Sequence, residues 1–216
     1  MKNDTPAIEI KLFHLGPIDN NTYLLTDPAT RDAIVIDPSF DIQPLTDHIR
    51  QFGLHVKSIL ITHAHFDHLA GVNSLLSAIP ERPQLALHKA DLPLWKNRGD
   101  ALRYGFQLGS LPEPDHLLLD REVLTFPPFE IAIHHTPGHT PGHVVFHLPQ
   151  ADAIFVGDVI FAGSIGRTDL TGGNLDELLE SIRKTIFSFP GETRLLPGHG
   201  PETTVDHERL HNPYLQ

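Results

Sequence analysis

Residues 62–71 read Thr62-His63-Ala64-His65-Phe66-Asp67-His68-Leu69-Ala70-Gly71. Directly before them lies Val56–Ile61, a short segment ending in Ile59-Leu60-Ile61 and read as a buried strand. A strand that ends in this many imidazoles and carboxylates has to open into a polar site, because ionisable groups buried without partners are strongly unfavourable. Side chains alternate along extended chain, which predicts residues 63, 65 and 67 on one side, with His68 out of phase where the chain turns toward the next helix. That geometry offers His63 and His65 to one metal ion, and Asp67 and His68 to a second beside it. Imidazole nitrogen and carboxylate oxygen suit zinc, iron or manganese.

The same arrangement recurs three times further on. Ile131-Ala132-Ile133 leads into Thr136-Pro137-Gly138-His139, Ile154-Phe155-Val156 into Gly157-Asp158, and Leu195-Leu196 into Pro197-Gly198-His199. A glycine precedes each of these polar residues, where a strand emptying into a site needs tight backbone geometry. Binding sites of α/β sheets gather at the carboxyl ends of strands. His139, Asp158 and His199 are therefore expected to join the first run along one edge. A lone histidine at a strand end is more often a hydrogen-bonded structural residue than a ligand. Seven such residues in this pattern point to metal binding.

Composition narrows the chemistry. The 216 residues include 16 histidines and no cysteine, which excludes disulfides, thiolate ligands and cysteine nucleophiles and suits a reducing compartment. Sixteen Lys and Arg stand against 27 Asp and Glu, a net charge of −11 that disfavours nucleic acid or an anionic membrane as partner. The sequence shows no apolar stretch of signal-peptide or membrane-span length, so the expected location is cytoplasmic. The length predicts a single domain over 1–216.

Alternating Ile8, Ile10 and Leu12 predict a half-buried strand. Strands at 22–26 and 33–37 flank the turn Asp27-Pro28-Ala29-Thr30 and form a hairpin. Ile42, Leu45, Ile49 and Phe52 recur at helical spacing, closed by Gly53. A helix over about 71–79 stops at Pro80, and a strand follows at 84–88. Residues 89–114, broken by prolines and glycines, are expected to form a substrate-facing lid. Strands are predicted near 116–120, 129–134, 144–148, 153–156 and 194–196. Leu175, Leu178, Leu179, Ile182 and Ile186 mark an amphipathic helix capped by Asn174. The class is α/β with two sheets.

Read together, these motifs resemble the metallo-β-lactamase fold superfamily, whose mark is the Thr-His-X-His-X-Asp-His-X-X-Gly run at 62–71. The chain is most similar to glyoxalase II-like hydrolases through Thr136-Pro137-Gly138-His139-Thr140-Pro141-Gly142-His143, Phe155-Val156-Gly157-Asp158, Ile165-Gly166-Arg167-Thr168-Asp169 and Leu196-Pro197-Gly198-His199-Gly200. The resemblance spans essentially the whole chain. It implies a four-layer αββα sandwich with two divalent ions, zinc first, with iron or manganese as alternatives. His63, His65 and His139 would hold the first ion, and Asp67, His68 and His199 the second. Asp158 would bridge them, and Asp67 and Asp158 are the implied catalytic carboxylates. His143 is left out because Val144-Val145-Phe146 makes it the start of the next strand.

The implied chemistry is attack of metal-activated water on a carbonyl carbon. A thioester suits it, since a thiol of pKa about 8.5 leaves as thiolate with little help. The preferred substrate is S-lactoylglutathione or a related acylglutathione, a small molecule rather than nucleic acid or membrane. Only 216 − 199 = 17 residues follow His199, whereas glyoxalase II enzymes carry a C-terminal helical domain, so the chain resembles their compact relatives. Arg167 is the candidate substrate-binding cation, with pairing to Asp169 an equal expectation. Lys89, Arg98 and Arg103 are read as solvated. One alternative is a persulfide dioxygenase with a single iron on His63, His139 and Asp158. A nuclease, a non-catalytic metal-binding protein and a β-lactamase fit less well. Ser164 is read as loop, Asn20 as a turn entering a strand, and His134 and His135 as supports beside the site. Trp95 and Phe106 either line an acyl pocket or pack in the core.

Overall fold

The computed structural model describes residues 8–216. Its first half forms a six-stranded sheet in which spatial order follows chain order: β1 (Glu9–Leu15), β2 (Asn20–Thr26), β3 (Asp32–Ile36), β4 (His55–Leu60), β5 (Gln84–His88) and β6 (His116–Leu118). β1 to β3 pair antiparallel, and β3 to β6 pair parallel. Helices carry the parallel crossovers: α1 (Gln43–Phe52), then α2 (Phe66–Leu69) with α3 (Val72–Ala78), then α4 (Leu92–Lys96).

The second half builds another six-stranded sheet. β7 (Val123–Phe126), β8 (Phe129–His135), β9 (Val144–Leu148) and β10 (Ala153–Gly157) run as an antiparallel meander. A small hairpin, β11 (Ile160–Phe161) with β12 (Ser164–Ile165), and helix α5 (Leu175–Lys184) follow. β13 (Arg194–Pro197) then pairs parallel to β10, and β14 (Thr203–Thr204) and α6 (Val205–His211) finish the chain.

Alternation along single strands shows why the layers stack. In β3, Ala33 and Val35 join Leu45 and Ile49 of α1 and Leu75 of α3, whereas Ile34 and Ile36 meet Phe129 and Phe146 of the second sheet. In β10, Ala153 and Phe155 face the first sheet, while Ile154 and Val156 pack on Leu178 and Ile182 of α5. A sheet covered on both faces needs apolar residues at consecutive positions, which is why these strands read as unbroken hydrophobic runs. The result is the expected αββα sandwich.

Local signals behave as anticipated at several points. Asp27 accepts from Ala29 N and Thr30 N and so closes the β2–β3 hairpin. Asn174 Oδ1 accepts from Asp176 N at 3.0 Å and caps α5. Gly53, at φ 59°, ends α1. β7, β14 and the β11–β12 hairpin were not anticipated; two to four residues give little room for a period to show. Ser164 thus lies in a short strand rather than a loop.

Residues 89–114 fold back onto the histidine run. Arg98, Gly99 and Asp100 all have left-handed backbone, at φ 57°, 63° and 60°. A Cβ on Gly99 would collide with the His65–Phe66 backbone, so glycine permits this close approach. Trp95 is a core residue, buried with its Nε1 donating to Pro112 O at 2.9 Å, and Phe106 is the one that reaches the cavity described below. Among the described residues, no helix is long and apolar enough to cross a membrane.

Candidate metal centre

The carboxyl ends of β4, β10 and β13, and the loop after β8, meet at one edge of the sandwich and bring all seven predicted ligands together. They form two abutting groups. In His63, His65 and His139, and again in Asp67, His68 and His199, the candidate ligand atoms lie within 4.8 Å of one another. His65 Nδ1 and His139 Nε2 are 2.8 Å apart. Asp158 stands between the groups. Its Oδ1 is 3.4 Å from His68 Nε2, and its Oδ2 is 3.7 Å from both His139 Nε2 and His199 Nε2.

The grouping of the first four residues matches expectation, but for a different reason. β4 ends at Leu60, so strand alternation does not place residues 63, 65 and 67. His63 and His65 lie on an extended loop, and Asp67 and His68 on the single helical turn α2. Buried side chains hold that loop, and the sequence reading passed over most of them. Asp37 accepts from Thr62 N (2.8 Å), Thr62 Oγ1 (2.6 Å) and His68 Nδ1 (2.9 Å), which aims His68 Nε2 at the cluster. Asp91 accepts from Ala64 N (2.9 Å), Thr140 Oγ1 (2.8 Å) and Gly142 N (2.6 Å), tying the His63–His65 loop to the loop that carries His139. Asn20 opens β2 directly after the turn at 16–19, as expected, and its Nδ2 donates to Asp67 Oδ2 at 2.8 Å, so this residue also serves the site. A usable signal existed for Asp37, since Ile34-Val35-Ile36-Asp37 is one more apolar strand ending in a carboxylate. Asp91 follows β5 by three residues and gave a weaker one.

Apart from His65, whose Nε2 has no partner, the remaining histidines of the cluster are also oriented through a second nitrogen, His63 by Thr62 Oγ1 lying 3.0 Å from its Nδ1. His139 Nδ1 donates to Arg167 O at 2.7 Å, and His199 Nδ1 to Ile18 O at 3.2 Å. His143, left out of the expected ligand set, lies beside the cluster. Its Nε2 accepts from Asp158 N at 3.1 Å, which fixes the Asp158 backbone and leaves that nitrogen engaged. A Cβ on Gly198 would fall against Asp158 Oδ1 and the His68 ring, so glycine is needed where the strands converge.

The two groups differ electrostatically. Burial pushes His63 well below the usual imidazole value, and burial together with neighbouring His139 brings His65 to about 3. His139 is lowered for the same reason. The first group thus presents neutral nitrogen lone pairs. In the second group burial also opposes charge, but the Asp67 and Asp158 carboxylates win and raise His68 well above its ordinary value. His199 is raised against burial by its hydrogen bond to Asp67 and by Asp158. Burial works against ionised Asp67, yet His68 and the His199 hydrogen bond hold it at about 2, and His68 likewise keeps Asp158 far below the carboxylate range. The second group attracts positive charge. His63 Nε2, His65 Nε2 and Asp158 Oδ1 are buried without hydrogen-bond partners, and a donor set of imidazoles and carboxylates with such orphaned atoms fits divalent metal ions.

The cluster floors a cavity of about 710 Å³. Arg167 lines it, yet its guanidinium makes two 2.8 Å bonds to Asp169, so the pairing expectation holds and the backbone carbonyl serves His139. His134 and His135 lie outside the cluster. His134 packs edge-on against Phe189, and His135 stacks on His88 with its Nε2 donating to Pro141 O.

Known proteins share this arrangement of chain. The sequence profile of the metallo-beta-lactamase superfamily matches residues 15–199. The probable metallo-hydrolase YqgX of Bacillus subtilis is 34% identical over 93% of this chain and 94% of its own. The hydroxyacylglutathione hydrolase GloC of Haemophilus influenzae is 31% identical over 96% and 98%. Among solved structures, BLEG-1 B3 metallo-beta-lactamase superposes with a TM-score of 0.90 at 36% identity, covering 96% of this chain and all of that one. TTHA1623 in a di-iron-bound form gives 0.85 at 36% identity, covering 95% and 100%. With the sandwich, the two ligand groups and the profile match in agreement, the chain belongs to the metallo-beta-lactamase superfamily.

Proposed function

We propose that the chain is a metal-dependent hydrolase of thioesters, with S-lactoylglutathione or a related acylglutathione as substrate. The observation that carries this reading is the contact of two ligand groups through Asp158 at the floor of a cavity large enough for a small molecule. Divalent ions held by His63, His65 and His139 and by Asp67, His68 and His199, with Asp158 between them, would supply a water acidified to a pKa of about 7 and positive charge for the carbonyl oxygen.

The chain's own residues do the rest. Asp37 and the carbonyls of Arg167 and Ile18 fix the imidazole rings, so little reorganisation is left for the reaction. Asn20 keeps Asp67 facing its group. Phe66, Phe106, Phe161, Ile165 and Leu170 give the cavity largely apolar walls. A serine or cysteine route lacks its parts. The chain has no cysteine, and Ser164 Oγ, which lines the cavity, faces Ile165 O at 3.5 Å rather than an imidazole.

The leaving group favours a thioester over an amide. A thiolate departs unprotonated, whereas an amide nitrogen needs an acid. Beyond the cluster itself, the polar side chains that line the cavity among the described residues are the Tyr104 phenol, the Ser164 hydroxyl and the paired Arg167. The likeness to GloC supports the same reading. A single iron on His63, His139 and Asp158 would leave the convergence of Asp67, His68 and His199 without purpose, which weighs against a persulfide dioxygenase.

The test is thiol release from S-lactoylglutathione by protein loaded with zinc or iron. Release should stop on chelation and return with metal. Oxygen uptake with glutathione persulfide, one iron per chain and no thiol release would overturn the reading.

A further inference from the structure

The cavity over the metal centre is walled mostly by hydrocarbon. On one side Phe66 stacks on Tyr104 and on Phe106, with ring centroids 5.0 and 5.2 Å apart and planes tilted by 24° in each pair. Phe106 is backed in turn by Phe40 at 5.0 Å. Phe161, Ile165 and Leu170 stand among the remaining lining residues. Three rings held against one another, with Gly99 letting their segment close onto the His65–Phe66 backbone, make a preformed surface rather than a chance exposure.

Charge recognition is nearly absent from the same cavity. Outside the metal cluster its one charged lining residue among the described residues is Arg167, already bonded twice to Asp169 and more than half exposed. The whole chain carries −11. A polar thiol carrier such as glutathione brings carboxylates and an ammonium group, and burying these against apolar walls without partners is costly. An uncharged acyl side chain meets no such penalty.

We infer that the cavity selects its substrate by an apolar, aromatic acyl group that lies on the Phe66–Tyr104–Phe106 wall, while the thiol carrier remains toward solvent. This rests on the thioester reading for the reaction but not for the binding. A lactoyl group, three carbons with a hydroxyl, uses little of the wall. A phenylacetyl group covers it and gains the burial of an aromatic ring, worth about tenfold or more in affinity.

The experiment keeps the thiol constant. S-lactoylglutathione and S-phenylacetylglutathione are compared as substrates by kcat/KM, and the thioethers S-methylglutathione and S-phenethylglutathione are compared as ligands by calorimetry. The phenylacetyl ester should be hydrolysed at least about tenfold more efficiently, and the phenethyl thioether should bind at least about tenfold more tightly, with a negative heat-capacity change. Phe106→Ala should shrink both ratios at least about threefold, a readout internal to one protein sample and therefore insensitive to a loss of folded material. Equal affinity for the two thioethers overturns the inference, whatever the rate of hydrolysis. Preferential binding of the phenethyl thioether without hydrolysis of either ester upholds the inference and overturns the thioester reading instead.

Discussion

The two halves of the metal centre are built from similar side chains but set in different surroundings. His63, His65 and His139 are fully or nearly fully buried, carry no carboxylate of their own and are driven toward the neutral form by burial. Asp67, His68 and His199 include an anion, share the field of Asp158 and reach the surface at His199, whose side chain is 27% exposed. Buried carboxylates support both halves: Asp91 braces the loops of the first, whereas Asp37 holds His68 of the second and also Thr62, whose Oγ1 lies 3.0 Å from His63 Nδ1. On the two-metal proposal, the difference means that affinity would be set separately in the two halves. Preorganised neutral nitrogens would serve the first and electrostatic attraction the second, with Asp158, which stands between the groups, as the shared residue.

Breaking that shared residue should have the largest effect. Asp158→Ala should lose both metals and lower thiol release on the order of 10³-fold or more, measured by elemental analysis and steady-state kinetics. Two ions still tightly held would contradict the bridging role. Separate supports should give separate losses. Asp91→Asn should weaken metal binding at the first group about 10–100-fold and spare the second, whereas Asn20→Ala should weaken the second by about tenfold and spare the first, both read by competitive chelation. Equal losses at both groups would dissolve the comparison.

Acid should destabilise the first group's flank. His88, stacked on His135 at 4.2 Å, sits three residues before Asp91, and burial holds its imidazole down at about 4. A depressed histidine favours the neutral form in the folded chain. Its contribution is therefore whole above the unfolded value of about 6.5 and is lost as pH falls toward about 4. Metal-free His88→Gln should lose on the order of 1 kcal/mol less stability than wild type across that window, by denaturant titration. The smallest effect is expected far from both groups. Asn174→Ala should cost about 1 kcal/mol by removing the α5 cap and leave metal affinity unchanged.

The convergence of the seven candidate ligands was legible because their runs follow short apolar strands, and strand ends in α/β sheets gather on one edge. An α/β class with two sheets was legible in the alternation of strand and helix patterns, while the four layers were expected only from the family resemblance; the apolar runs at 33–36 and 153–156 turn out to be strands covered on both faces. The supports were harder to read. Asp91 and Asn20 act across 27 to 51 positions of chain, and one-dimensional spacing carries no trace of such contacts. The helical turn at 66–69 was also hidden, because a histidine and an aspartate ended the apolar pattern that would have revealed its period. Phe106 and Trp95 looked alike in sequence, and only the fold of the segment after β5 sends one to the cavity and the other to the core.

Titration of zinc into chelator-treated wild-type protein, followed by calorimetry with thiol release measured in parallel, tests the central claim most directly. Two ions per chain should bind in distinguishable steps, with activity appearing only as the second site fills. A single ion at saturation, or undiminished hydrolysis by the metal-free protein, would contradict a centre made of two groups joined through Asp158.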